Sequence, residues 1–184
     1  TKMIVLIDEP ELHLHPSWQS KLINYLISIS KDIQVFVSTH SPFMFKNSLN
    51  TNANLLVFSI DSEQNISVND ARDGLISHFP WSPSWGEINY YAYKLPTIEF
   101  HNELYGYIQD KFNVRTEKRM DEFLEDKGVN KNQSYIKQNS DGSFTDPYQV
   151  TICTYVRNLI HHPENSKNNK FTNYMLSKSI DSMI

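Results

Sequence analysis

Residues Met3-Ile4-Val5-Leu6-Ile7 are five consecutive apolar residues that stop abruptly at Asp8-Glu9-Pro10. An apolar run this short, unbroken by polar residues, reads as a β-strand covered on both faces, as in a parallel sheet. A second run, Ile33 to Val37, repeats the pattern and ends in Ser38-Thr39-His40-Ser41-Pro42. Between them, Pro16-Ser17 opens a helix with Ser17 as its expected cap, and Trp18, Leu22, Tyr25, Leu26 and Ile29 form an apolar stripe at helical spacing. Strand, helix and parallel strand imply an α/β fold with a right-handed crossover.

Further along, Leu55 to Ile60 reads as a third strand, paired with Ile66 to Val68 through the turn Asp61-Ser62-Glu63-Gln64-Asn65. The composition changes after about Gly74. Residues 78–91 are crowded with aromatic residues, Pro and Gly, and read as a packed irregular connector. Ile98 to Phe112, Arg115 to Asp126, Val150 to His161 and Thr172 to Met183 read as helices, with a polar stretch and an Asp141-Gly142 turn between 131 and 146. The expected organisation is an α/β portion over residues 1–75 followed by a mainly helical extension over 76–184.

Asp8 and Glu9 sit at the C-terminal end of a buried-type strand, which is where α/β sheets bind ligands. One carboxylate there can hold Mg²⁺ through its water shell, and its neighbour can act as general base on a water. The alternative is that two acids simply mark where a strand meets solvent. His40, at the end of the adjacent strand, is placed to touch a phosphate or the attacking water. Yet the chain has five glycines, and the nearest two are twelve positions apart. A phosphate-cradling Walker A loop needs two glycines five apart, followed by Lys and Ser/Thr, so none is present in this sequence.

The stretch from Leu6 to Gln19 (LIDEPELHLHPSWQ), together with the later Ser38-Thr39-His40, resembles ABC-type, AAA-family ATPases of the branch that includes SMC, RecF and OLD-like proteins. It looks most like the Septu-type and retron-associated ATPases of bacterial antiphage systems. The resemblance covers roughly the first 60–70 residues. It implies the C-terminal portion of an ABC ATPase head with a parallel-sheet P-loop NTPase core, and a function in ATP binding and hydrolysis that controls a nuclease in antiviral defence. Asp8 would be the Walker B carboxylate that holds Mg²⁺, Glu9 the catalytic base and His40 the switch histidine at the γ-phosphate. His15, in the D-loop, would face the nucleotide site of a second ATPase subunit in a homodimer or higher oligomer. The family's P-loop and signature motif precede Walker B and are missing here, so the expectation is a C-terminal piece of a longer enzyme, inactive alone. Trp85-Gly86-Glu87-Ile88-Asn89-Tyr90 and Glu99 to Tyr107 are similar to the C-terminal parts of such ATPases, which implies docking of a sister subunit or a separate nuclease.

The histidines raise other chemistries. Glu11, His13 and His15 alternate on one face but lack CxxC or HExxH partners, so the metal reading is the weaker one. Arg157-Asn158-Leu159-Ile160-His161-His162 matches R-N-x-x-x-H and resembles the signature of HEPN ribonucleases, which cut RNA without metal. That resemblance would put Arg157, Asn158 and His162 around a scissile phosphate. The competing reading is structural, because basic residues favour the last turn of a helix. Lys111, Arg115, Lys118 and Arg119 are followed at once by Asp121, Glu122, Glu125 and Asp126, which suits a self-paired helix better than a nucleic-acid groove. The net charge of −4 gives no global attraction to nucleic acid. The lone Cys153 fits a reducing cytoplasm, and no apolar run is long enough for a membrane span.

Overall fold

The computed structural model describes residues 3–72 and 76–184. The chain forms two compact units, one ending at Lys94 and one running Leu95–Ile184. Gly74, at which the composition changes, lies outside the described residues. Residues 76 to Lys94, read from the sequence as the start of the extension, belong to the first unit.

In the first unit, β1 (Ile4–Asp8) and β2 (Gln34–Ser38) pair in parallel, in register from Ile4 opposite Gln34 to Asp8 opposite Ser38. They are joined by α1 (Pro16–Ile29), as the sequence predicts. The cap of α1 is His15, not Ser17: the His15 ring accepts a hydrogen bond from the Ser17 amide at 3.3 Å. Pro16 then occupies the first helical position, where its missing N–H is no loss. Ile23 and Leu26 of α1 bury against Met44 of α2 (Pro42–Ser48), with Ile7 and Val35 from the strands. Only that face is covered. Ile4, Leu6 and Phe36, on the opposite face, are exposed, which corrects the expectation of strands buried on both sides. The fold is mixed α/β, and among the described residues the parallel sheet has two strands.

β3 (Leu56–Ile60) and β4 (Ile66–Asp70) form the expected antiparallel hairpin. Its turn is organised by Asp61, whose Oδ1 accepts from the amides of Glu63 and Asn65 at 2.8 and 2.9 Å. These bonds, the Asn65 side chain foremost, hold the Asp61 carboxyl below its ordinary range. Val57 faces inward, into a core with Phe45, Leu55 and Ile88. Leu56, Phe58, Ile60, Ile66 and Val68 are exposed.

The aromatic stretch read as an irregular connector contains a helix, α3 (Trp85–Tyr93). It opens with a capping box: Ser84 accepts from the Glu87 amide, and Glu87 Oε2 accepts from the Ser84 amide at 2.7 Å. Glu87 is fully buried because its other oxygen accepts from the His78 amide and the Ser82 hydroxyl.

The second unit contains the four helices expected there: α4 (Ile98–Lys111), α5 (Glu117–Asp126), α6 (Ile152–His161) and α7 (Asn173–Asp181). Thr97, Thr116, Thr151 and Thr172 cap them in turn, each accepting from an amide three residues on. The polar stretch before α6 holds an antiparallel pair, β5 (Lys131–Tyr135) and β6 (Tyr148–Thr151), beyond the turn foreseen at Gly142 (φ +84°). Phe100, Met120, Cys153, Val156 and Ile180 are buried in the core. Asp121, also buried, accepts from both the amide and the hydroxyl of Thr151 at 2.9 Å and lies 3.4 Å from Lys131 Nζ. On α5, Lys118 pairs with Glu122 at i,i+4 spacing, in keeping with a self-paired helix. No helix among the described residues is long and apolar enough to cross a membrane.

Candidate functional site

The parallel pairing of β1 and β2 is what assembles the first candidate site. Because Asp8 lies opposite Ser38, the two chain segments leave the sheet side by side. The Ser38 hydroxyl donates to Asp8 Oδ1. The Glu9 amide bonds the Ser38 carbonyl at 3.0 Å, carrying the ladder one residue past the strand. Glu9 then takes a positive φ of +43°, unusual for a residue with a Cβ. That bend turns the chain into a tight loop, closed by the Leu12 amide on the Glu9 carbonyl (3.0 Å) and the Leu14 amide on the Glu11 carbonyl (2.8 Å).

With both segments held, Glu9 Oε1 comes within 3.5 Å of His40 Nε2. The His40 side chain is 87% exposed and that of Glu9 39%, so the pair is open to a ligand. Asp8 is exposed beside them. The structure thus brings together three of the residues singled out from the sequence: a carboxylate with a hydroxyl neighbour, a second carboxylate and an imidazole. Asp8 and the Ser38 hydroxyl supply hard oxygen atoms at an open strand end, a donor set that fits Mg²⁺, which takes few protein ligands and keeps its waters. His15 is exposed, and its ring is occupied locally as the cap of α1. No group of three His, Cys, Asp or Glu side chains among the described residues is arranged to hold a metal ion, so Glu11, His13 and His15 do not form a cluster.

What sequence reasoning missed is the polar layer underneath. Glu11, Thr39, Ser41 and Gln19 bond to one another between the two loops. The signal was present in the polar residues that flank His40, but nothing in the chain order pairs Thr39 with Glu11.

In the second unit, Arg157 Nη1 donates to Asn158 Oδ1, and Asn158 Nδ2 donates to Glu117 Oε1, both at 3.0 Å. Asn158 is buried. His162 ends α6 and lies 3.4 Å from Glu164 Oε1 through Nδ1. A cavity of about 150 Å³ opens here, lined by Glu117, Tyr135, Lys137, His162, Glu164 and Asn165 among others. Arg157 does not line it and reaches it only through Asn158 and Glu117. His161, one residue earlier, has its pKa lowered by partial burial, by Arg157 and by His162.

Residues 1–45 match the AAA ATPase domain family. The chain is 62% identical over 39 residues to the Retron Ec83 probable ATPase of Escherichia coli, a stretch that is 21% of this chain and 7% of that protein. It is 49% identical over 41 residues to Septu protein PtuA of Bacillus thuringiensis, covering 22% of this chain and 10% of the relative. It is 51% identical over 41 residues to the Retron Vc95 probable ATPase of Vibrio cholerae, covering 22% of this chain and 8% of that protein. The chain therefore spans a tenth or less of the curated relatives it matches. Leu6 to Gln19, from which the resemblance is read, lies within the residues that match the AAA ATPase domain family, and two of the relatives bear the name of probable ATPases.

Proposed function

We propose that this chain contributes the hydrolytic half of an ATP site within a longer AAA-type ATPase of an antiphage system. The observation that carries the reading is Glu9 Oε1 standing 3.5 Å from His40 Nε2 at the ends of two parallel strands, with Asp8 alongside. Asp8 and Ser38 would hold Mg²⁺, which when bound would offset the charge of the phosphates. Glu9, whose side chain is 39% exposed, accepts a proton from the attacking water. His40 donates a hydrogen bond to a phosphate oxygen and, through its contact with Glu9, keeps the base oriented. The phosphate-gripping loop comes from residues outside this segment, since no two glycines here have the spacing it needs. A second subunit completes the site, with His15 on the side that meets it, and the cycle controls a partner nuclease or senses nucleic acid in the cytoplasm.

The test is ATP turnover by the full-length protein that carries this segment. Glu9→Gln is expected to lower kcat by about 10²- to 10⁴-fold while ATP binding is retained, as removal of a general base does. Turnover unchanged in Glu9→Gln would sink the reading.

A second reading is favoured by the cavity at His162. A metal-independent ribonuclease would use His162, paired with Glu164, as its acid–base group, and Arg157, held through Asn158, for the phosphate. It predicts RNA cleavage in EDTA that is lost in His162→Ala and indifferent to Glu9→Gln. A docking role for the second unit, recruiting a nuclease with no activity of its own, predicts a stable complex and no cleavage by the chain alone.

A further inference from the structure

We infer that Glu11 is a positioning residue that locks the loop carrying Glu9 to the loop carrying His40, so that base and histidine move as one body. This rests on the hydrolytic reading above and names what sets the geometry of that site.

Glu11 is only 9% exposed, two residues past an exposed catalytic edge. A carboxylate is rarely buried without a partner. No Lys, Arg or His forms an ion pair with it among the described residues. Its partner is a hydroxyl: Thr39 Oγ1 donates to Glu11 Oε1. Thr39 is the residue immediately before His40. The same Thr39 oxygen accepts from the Ser41 amide at 3.0 Å, so both neighbours of His40 in the chain are held. Ser41 caps α2 and its hydroxyl donates to Gln19 Oε1 at 2.6 Å. Gln19, buried on α1, donates from Nε2 to the Leu14 carbonyl at 3.3 Å, just before His15.

The bonds therefore close a ring. It starts in the turn after β1, crosses to the loop after β2, and returns through α1 to the far end of the same turn. Glu9 and His40 project from the two tied loops, and they meet at 3.5 Å. A 3.5 Å contact between two exposed side chains does not hold its geometry by itself; the partly buried layer beneath ties the loops that carry them. Oε2 of Glu11 is buried with no hydrogen-bond partner among the described residues.

The experiment measures steady-state ATP turnover and ATP affinity of the full-length protein for wild type, Glu9→Gln, Thr39→Val, Thr39→Ala and Thr39→Ser, with a thermal melt of each. Thr39→Val keeps the volume and removes the donor. The expected result is a fall in kcat of about 10- to 100-fold with KM for ATP within about threefold, the signature of misplaced reacting groups. Thr39→Ala should show the same split, and Thr39→Ser, which keeps the hydroxyl, should restore kcat to within about threefold of wild type. If Thr39→Val does not fold, the Ala and Ser pair reads the same contrast. Wild-type kcat in a folded Thr39→Val or Thr39→Ala variant, beside an inactive Glu9→Gln, overturns the inference and leaves the hydrolytic reading standing. Undiminished turnover in Glu9→Gln removes the hydrolytic reading itself.

Discussion

The two units of this chain solve the burial problem differently. The unit ending at Lys94 leaves Leu6 77% exposed on β1 and Phe58 65% exposed on β3, each at the centre of an apolar strand face. In the unit from Leu95 onward, Phe100, Met120, Val156 and Ile180 are completely inaccessible to solvent. The first unit carries Asp8, Glu9 and His40, and its strands have exposed apolar side chains on one side. Contiguous apolar faces of this kind mark surfaces that meet other protein. The second unit closes its core with capped helices and a buried polar bridge from Asp121 to Thr151. The open side and the exposed chemistry occur together in one unit, and the closed core belongs to the other.

The largest expected effect comes from separating them. Residues 95–184 expressed alone should unfold in a single cooperative transition, followed by circular dichroism during a melt. Residues 3–94 alone should self-associate at micromolar concentration in analytical ultracentrifugation. A monomeric, cooperatively melting first unit would break the comparison. Next in size is the contrast between two truncations. Ile180→Ala, at a site with no solvent exposure, should destabilise the second unit by about 2–5 kcal/mol in urea titrations. Phe58→Thr, on the outer face of the β3–β4 hairpin, should stay within about 0.5 kcal/mol and reduce association. Equal losses at the two positions would show that the hairpin face is buried in solution.

The sequence disclosed the parts of the fold that have a period. The apolar runs of β1 and β2, the stripe of α1 and the spacing of α4 to α7 are all legible, and so is the meeting of Glu9 with His40, because parallel pairing makes neighbouring strand ends converge. Other features have no periodic signal. β5 is Lys-Asn-Gln-Ser-Tyr, and only Tyr135 at its end is buried, so no hydrophobic alternation announces a strand. α3 is masked by its aromatic neighbours, although the Ser84 and Glu87 of its capping box stand at the right spacing. The cap of α1 falls on His15 because Pro16 takes the first helical position and leaves Ser17 inside. A continuous apolar run shows that a strand can be covered on both faces, and says nothing of whether the same chain supplies both covers. Burial of Glu11 is set by a long-range partner, Thr39, and no local pattern distinguishes it from its exposed neighbours His13 and His15. In the tail, helical spacing puts Arg157 and His161 on one face, yet it is His162, the cap just past the end of α6, that lines the cavity.

The last of these effects sharpens the comparison through pH. His101 of α4 is fully buried, 2.8 Å from the Ser179 hydroxyl of α7, in the closed core of the second unit. Burial lowers its pKa to about 4, and the positive charges of His161 and Arg157 act in the same direction, against hydrogen bonds from the ring to Asn102 and to the Cys153 backbone that raise it. In the unfolded chain the imidazole titrates near 6.5. Between these values the unfolded state binds a proton that the folded state does not, so stability rises with pH across that window. The contribution is complete above about 6.5, falls as pH drops through the window, and levels off below about 4. The full difference is on the order of 3 kcal/mol. Urea denaturation of residues 95–184 at pH 7 and at pH 4.5 should show the loss. His101→Gln, whose amide can still bond the Ser179 hydroxyl but cannot take up a proton, should flatten the part of the slope that His101 causes. Parallel stability curves for wild type and His101→Gln would show that this core admits the charged ring, and that it is less closed than its packing indicates.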